Sequence, residues 1–324
     1  MGGEGPRQVR EIDACESLKD GTMYKKIEEY LDKLKKELKG SDPALIQDAL
    51  SDAEEHLRTA LEESVDNTPG ISEEEALQPL VERYGAPSEV ASAYKEIESL
   101  VRPAFAVSEI QVPRTRRPKF FSIVADAGAW GAFLYFLLAG LTGCIFGLWA
   151  FMGACLSFFL LMLIIGIPVT GLFLLSIRGI ALVEGRIVEA LLGVRMPRRP
   201  LFLKRDLTWS QKFRALIVES HTWKALAYMI LHFPVGAIYF ASAATLFAFS
   251  LKCFLYPLWY WGLGRPLITF SQPVYPPMWS IPLISAAGIM MLPLILHLAK
   301  SAGKLHARFA KFMLVRKQEE INHV

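Results

Sequence analysis

Between Asp126 and Arg178 the chain runs 51 residues without a charged side chain. One helix of that length would reach ~75 Å, against a bilayer hydrocarbon core of ~30 Å. Backbone in lipid must satisfy its own hydrogen bonds, so the run has to enter as a helix, turn and return. The expected unit is a helical hairpin. The same apolar design returns in the charge-free window Ala225–Leu251 and again at about 279–299. The predicted fold class is therefore all-α: a small cytosolic helical domain plus a polytopic membrane domain of two helical hairpins.

Charge is divided to match. Residues 1–126 carry 17 Lys/Arg and 26 Asp/Glu, while residues 127–324 carry 18 and 6. The whole-chain net charge of +3 conceals an acidic head on a basic-flanked body. The four cysteines form no C-x-x-C pair, zinc spacing or disulfide framework, and Cys144 and Cys155 are expected to be buried as small hydrophobes. The division expected is a polar tail over 1–22, a helical domain over 23–100, a basic proline-containing linker over 101–124 and a membrane domain over 125–320. The tail has no apolar core like that of a signal peptide, so the N-terminus is expected in the cytosol.

Four helices can be read in the head. Met23, Ile27, Leu31, Leu34 and Leu38 form one apolar stripe, closed by Gly40. Asp42-Pro43 opens a second helix, with Leu45, Ile46, Ala49, Leu50, Ala53, Leu57 and Leu61 on one face. Asn67-Thr68-Pro69-Gly70 is a loop. Ser72 with Glu75 makes a capping box for a third helix, which ends at Tyr84-Gly85, and Ser88 can cap a fourth. Asp52 and His56 share a helix face, and Glu55 adjoins them. One His and one Asp fall short of a metal's ligand count, so a solvated or partner-contacting face is expected.

The stretch Asp52, Glu54, Glu55, His56, then Ser72-Glu73-Glu74-Glu75-Ala76, Tyr84-Gly85-Ala86-Pro87 and Val90-Ala91 resembles the HAAS signalling domain over about 24–100. That resemblance implies a small bacterial helical module placed before membrane helices, with a signalling role and no assigned reaction. The frequent company of this family with PadR-type repressors implies a transcription regulator as partner.

The membrane helices are expected at about 129–151, 156–177, 225–251 and 279–299, the first turn near Phe151–Leu156, and a kink at Gly166-Ile167-Pro168. An offset of 93 brings Trp130 onto Trp223, Tyr135 onto Tyr228, Gly143 onto Gly236 and Ile145 onto Ile238. An offset of 122 brings Arg178 onto Lys300, Arg186 onto Arg308 and Leu192 onto Leu314. The two hairpins thus read as a duplication, with 29 extra residues in the second connector. After each hairpin a basic amphipathic segment reads as a helix lying at the interface.

Segments 178–224 and 300–324 carry ten and six Lys/Arg, whereas 252–278 has only Lys252 and Arg265. The positive-inside rule places both termini and the 178–224 loop in the cytosol of a multi-pass inner-membrane protein. The first hairpin either crosses or dips in and returns; the rule does not separate these. Tyr256, Trp259, Tyr260 and Trp261 in the outer segment form an interfacial aromatic belt or a surface that detects a lipid or envelope change. His232, ~12 Å past Lys224 along a straight helix, and His297, near the same face, are intramembrane ionisable groups. With no Asp, Glu or Lys read beside them, a packing role is expected.

Trp223-x-x-Leu226-x-Tyr228, Phe233-Pro234-x-Gly236 and Leu255-Tyr256-Pro257-x-x-Tyr260-Trp261, with Gly166-Ile167-Pro168 and Leu191-Leu192-Gly193-Val194, resemble the sensor domain of bacterial and archaeal membrane proteins over about 125–320. In that family an output domain often follows; here the HAAS-like head is the expected output element. The chain lacks G-x-x-x-x-G-K-[ST], G-x-S-x-G and H-E-x-x-H, so catalysis, cofactors and metal are not expected. The function expected is a non-catalytic membrane sensor or regulator that relays a membrane or envelope state to a cytosolic partner. The alternative is a small transporter or a membrane subunit of a transport complex. The partners expected are the lipid bilayer, a cytosolic transcription regulator or other signalling protein, and a second copy of the chain, with no direct nucleic-acid contact.

Overall fold

A computed structural model describes residues 26–67, 72–100, 120–162, 166–198, 216–264, 266–269 and 273–315. The tail, most of the linker, the loop at 68–71, the stretch 199–215, Phe270 and residues 316–324 lie outside the described residues. The chain divides into two compact units, one holding the four N-terminal helices and one the four long apolar helices.

The first unit contains α1 (Ile27–Glu37), α2 (Pro43–Asn67), α3 (Glu73–Tyr84) and α4 (Pro87–Leu100). Tyr30, Leu34, Leu38, Ala49, Ala53, Leu57 and Leu77 form its core. Gly40 (φ 89°) follows α1, a left-handed position that glycine adopts without Cβ strain. The Ser72–Glu75 capping box at α3 forms in both directions. α4 opens at Pro87, two residues earlier than a Ser88 cap implies, and at its start the Ala86 N–H donates to Glu89 Oε2 at 3.1 Å.

The second unit contains a short 3-10 turn at Phe120–Ala125, then α5 (Ala127–Leu160), α6 (Gly166–Leu192), α7 (Ser220–Phe254), α8 (Tyr256–Leu263) and α9 (Ile281–Leu314). A two-residue antiparallel ribbon, β1 (Ile268–Thr269) with β2 (Pro273–Val274), joins α8 to α9. α5, α6 and α7 are each long and apolar enough to cross a membrane, and so is α9 with the turn before it. Their outward faces carry Phe158, Phe159, Met162, Leu172 and Leu298, all exposed, while Thr142, Arg178, Glu184 and His232 are buried. A polar interior under an apolar exterior is stable only with lipid as the solvent. Cys144 and Cys155 belong to that exterior rather than to the interior expected for them, and Cys253 is buried.

Three expectations are corrected. α5 continues through Phe151–Leu156 to Leu160, so the first turn falls after it. Pro168 lies in the first turn of α6, where its missing N–H leaves no carbonyl unpaired, so it starts the helix and does not kink it. The segments after Arg178 and Lys300 are not separate interfacial helices: α6 and α9 run unbroken to Leu192 and Leu314. Their amphipathic faces, with Arg178, Glu184, Glu189 and His306, are buried against other helices.

The duplication has a spatial counterpart. Along α5 and α7, ring pairs join Phe133 with Phe247 and Phe136 with Tyr239, so the two helices pass each other in opposite sense. The contacts at their crossing are reciprocal. A Cβ on Gly143 would lie 2.7 Å from the His232 carbonyl oxygen, and one on Gly236 would lie 2.1 Å from that of Ala139. Ala139 and His232 are themselves 93 positions apart. Gly140 meets Phe240 as Gly147 meets Phe233. Trp130 Nε1 donates to the Val124 carbonyl as Trp223 Nε1 donates to that of Ile217. Arg178 of the first hairpin pairs with Glu219 of the second, and Lys300 of the second pairs with Asp126 of the first. Each of these pairs maps onto its counterpart by the offsets 93 and 122. A pseudo-twofold axis therefore passes between α5 and α7, and glycines permit the close approach there.

Candidate functional site: a buried Glu-His-Tyr cluster on the pseudo-twofold

Four helices each send a polar side chain to one point inside the second unit. α5 contributes Tyr135, α6 Glu184, α7 Tyr228 and His232, and α9 His306. Glu184 is 0% exposed, His232 1% and His306 3%. Tyr135 Oη donates to Glu184 Oε1 at 2.9 Å and lies 2.6 Å from His306 Nε2. Tyr228 Oη is 3.5 Å from the same carboxylate oxygen and 3.1 Å from the same ring nitrogen. The arrangement is symmetric in origin, because Tyr135 and Tyr228 are repeat equivalents at offset 93 and Glu184 and His306 at offset 122. His232 breaks the symmetry, since Ala139 stands at its counterpart position. Its Nε2 lies 3.5 Å from Glu184 Oε1 and 3.1 Å from Thr142 Oγ1, and its ring stacks on Tyr228 with centroids 5.5 Å apart.

The cluster can do two things chemically. It is a hydrogen-bonded knot joining all four long helices in a medium where polar partners are scarce. It also brings together three metal-competent donors: the ligand atoms of Glu184, His232 and His306 all lie within 4.8 Å of one another.

The expected sites fall in different places. His232 joins the cluster, so the expectation that no acidic group stands beside it is overturned: Glu184 does. His297 does not join it. It is half-buried, its ring 5.4 Å from that of Phe120, and with Asp126, Lys300 and Lys304 it lines a separate open pocket of about 330 Å³. Tyr256, on α8, is fully buried, Tyr260 packs on it at 5.9 Å, and Trp259 and Trp261 are exposed. In the first unit Asp52 accepts a hydrogen bond from Tyr94, Glu55 is exposed, and His56 stacks on Tyr84 with centroids 5.0 Å apart. Nothing in the local sequence marks Glu184 and His306, because each stands in a basic amphipathic segment with the pattern of an interfacial helix. The repeat offsets, extended to these two positions, were the available signal.

The profile of the Putative sensor family matches residues 135–314, a stretch that holds most of α5, the whole of α6, α7 and α9, and the cluster. The chain belongs to the Putative sensor family. The HAAS profile matches residues 29–93, ahead of it in the chain. Both are sensor and signalling domains, and the chain is a membrane protein with a sensor or regulatory role. Among curated proteins it is similar to the uncharacterized protein YwdD of Bacillus subtilis (strain 168), 35% identical over 80 residues. That match covers 24% of this chain and only about a third, 35%, of the relative's length. No solved structure matches the chain.

Proposed function

We propose that this Putative sensor protein is a non-catalytic regulator of the inner membrane that relays a membrane or envelope state to a cytosolic partner through its HAAS-like helices. The observation that carries this reading is the pseudo-twofold cluster. One buried knot of Glu184, His306 and two tyrosines fastens the two hairpins, so a change in their crossing must break or remake it. Packed interfaces of this kind have discrete arrangements rather than a continuum, which a relay requires. The helix lengths support it too. α5 and α7, 34 and 35 residues long, exceed the ~20 residues that span a bilayer, so each has the length to cross it at a steep tilt. Steeply tilted helices related by an axis along the membrane normal pass each other in opposite sense while both N-termini stay on one face. That arrangement agrees with cytosolic termini under the positive-inside rule. A transcription regulator is the partner the HAAS resemblance favours.

The test is transcript profiling of a strain lacking the protein, complemented with the full chain or with residues 101–324 alone. The proposal expects the full chain alone to restore the profile. Unchanged transcription on deletion, or equal restoration by both, contradicts it.

A further inference from the structure

We propose that Glu184, His232 and His306 form an intramembrane binding site for a divalent transition-metal ion of the zinc class. The three donors come from three helices, α6, α7 and α9, and are almost wholly withdrawn from solvent. A tetrahedral ion with bonds of ~2.1 Å places its ligand atoms about 3.4 Å apart. His232 Nε2 and Glu184 Oε1 are 3.5 Å apart, and the full triad fits within 4.8 Å, so side-chain shifts of about an ångström close it on an ion. Two imidazoles and one carboxylate suit zinc and its neighbours, whereas calcium and magnesium take oxygen sets.

Packing alone leaves two features without a reason. Among the described residues, Glu184 Oε2 and His232 Nδ1 are buried without a hydrogen-bond partner, and a carboxylate with one oxygen unpaired is costly to keep charged in a low-dielectric interior. A divalent cation answers that charge directly. His232 also departs from the repeat, since the pseudo-twofold places Ala139 at the corresponding position. The departure supplies the third ligand of a facial set that the symmetric pair Glu184 and His306 cannot complete. Tyr135 Oη, 2.6 Å from His306 Nε2 and 2.9 Å from Glu184 Oε1, stands where a fourth ligand or an orienting hydroxyl is needed. Tyr228 Oη and Thr142 Oγ1 now lie 3.1 Å from the Nε2 atoms of His306 and His232, and an ion bound there replaces those two contacts.

The site is tested on the purified full chain in detergent micelles, carrying an affinity tag without histidine, so failure here leaves the regulatory reading standing. After chelator stripping, the protein is dialysed against zinc and its metal content measured; a parallel sample is titrated with cobalt. The expected result is one zinc per chain and the visible bands of four-coordinate, nitrogen- and oxygen-ligated cobalt. Glu184→Gln and His306→Ala should weaken zinc affinity by more than about 100-fold, and Tyr135→Phe by roughly 10–100-fold. His297→Ala should bind as the wild type does. Wild-type chain that retains no zinc and gives no such cobalt spectrum overturns the proposal, as do monodisperse Glu184→Gln or His306→Ala variants that bind normally. If those variants aggregate, the wild-type cobalt spectrum decides.

Discussion

Tyr135 and Tyr228, 93 positions apart, reach the same oxygen of Glu184, at 2.9 and 3.5 Å. Two equivalent side chains of a duplicated unit thus meet on one acid. The shorter bond is the one whose loss matters more. Tyr135→Phe should destabilise the protein by about 1–3 kcal/mol, the range for stranding a buried polar group, and Tyr228→Phe by less. Thermal unfolding in micelles measures both. The double variant should depart from additivity, because the phenols share both an acceptor and a histidine.

The two inter-repeat ion pairs differ in burial. The side chains of Arg178 and Glu219 are 10% and 17% exposed, those of Lys300 and Asp126 29% and 19%. Glu219→Ala leaves Arg178 largely buried with the Thr222 hydroxyl as an acceptor and should cost about 3 kcal/mol. Asp126→Ala, beside a more exposed lysine, should cost less. A double-mutant cycle across each pair measures the coupling, with the larger value expected for Arg178–Glu219.

Glycine substitutions read the crossing of α5 and α7. An added Cβ at Gly236 would fall 2.1 Å from a backbone oxygen, which cannot rotate aside. Gly236→Ala should therefore destabilise by ~1–3 kcal/mol or more, and Gly143→Ala, at 2.7 Å, somewhat less. Gly179, whose added Cβ would meet nothing within 4 Å among the described residues, is the control: Gly179→Ala within α6 should be neutral or stabilising by up to ~1 kcal/mol. Melting temperatures of the three single variants decide the order.

Membrane orientation has an independent readout. In a cysteine-free background, an impermeant thiol reagent applied from outside should label Leu263→Cys, which is 65% exposed at the end of α8. It should leave cysteines introduced at 195–215 unlabelled. The reverse pattern would place the basic 178–224 segment outside and contradict the positive-inside assignment.

Much of this architecture was legible in the sequence. A 51-residue run without charge forces a hairpin on any chain that must satisfy its backbone in lipid, and the capping box at Ser72 named its helix start to the residue. The helix ends in the membrane were not legible. Arg178 and Glu184 look like the polar face of an interfacial helix until their partners are known, and Glu219, Thr222, Tyr228 and His232 of the other repeat are among those partners. The cluster was hidden for the same reason. Glu184 lies 49 positions from Tyr135 and 122 from His306, and only the crossing of the hairpins brings them together.

The crossing itself is the central claim, and cross-linking tests it most directly. In a cysteine-free background, Phe133→Cys is paired either with Phe247→Cys, its ring neighbour at 5.2 Å, or with Leu226→Cys, its repeat equivalent. A short bifunctional thiol reagent applied to native membranes should join 133 to 247 and leave 133 and 226 separate. Efficient joining of 133 to 226, with none to 247, would mean that the repeats lie side by side in the same sense, and the pseudo-twofold described here would be wrong.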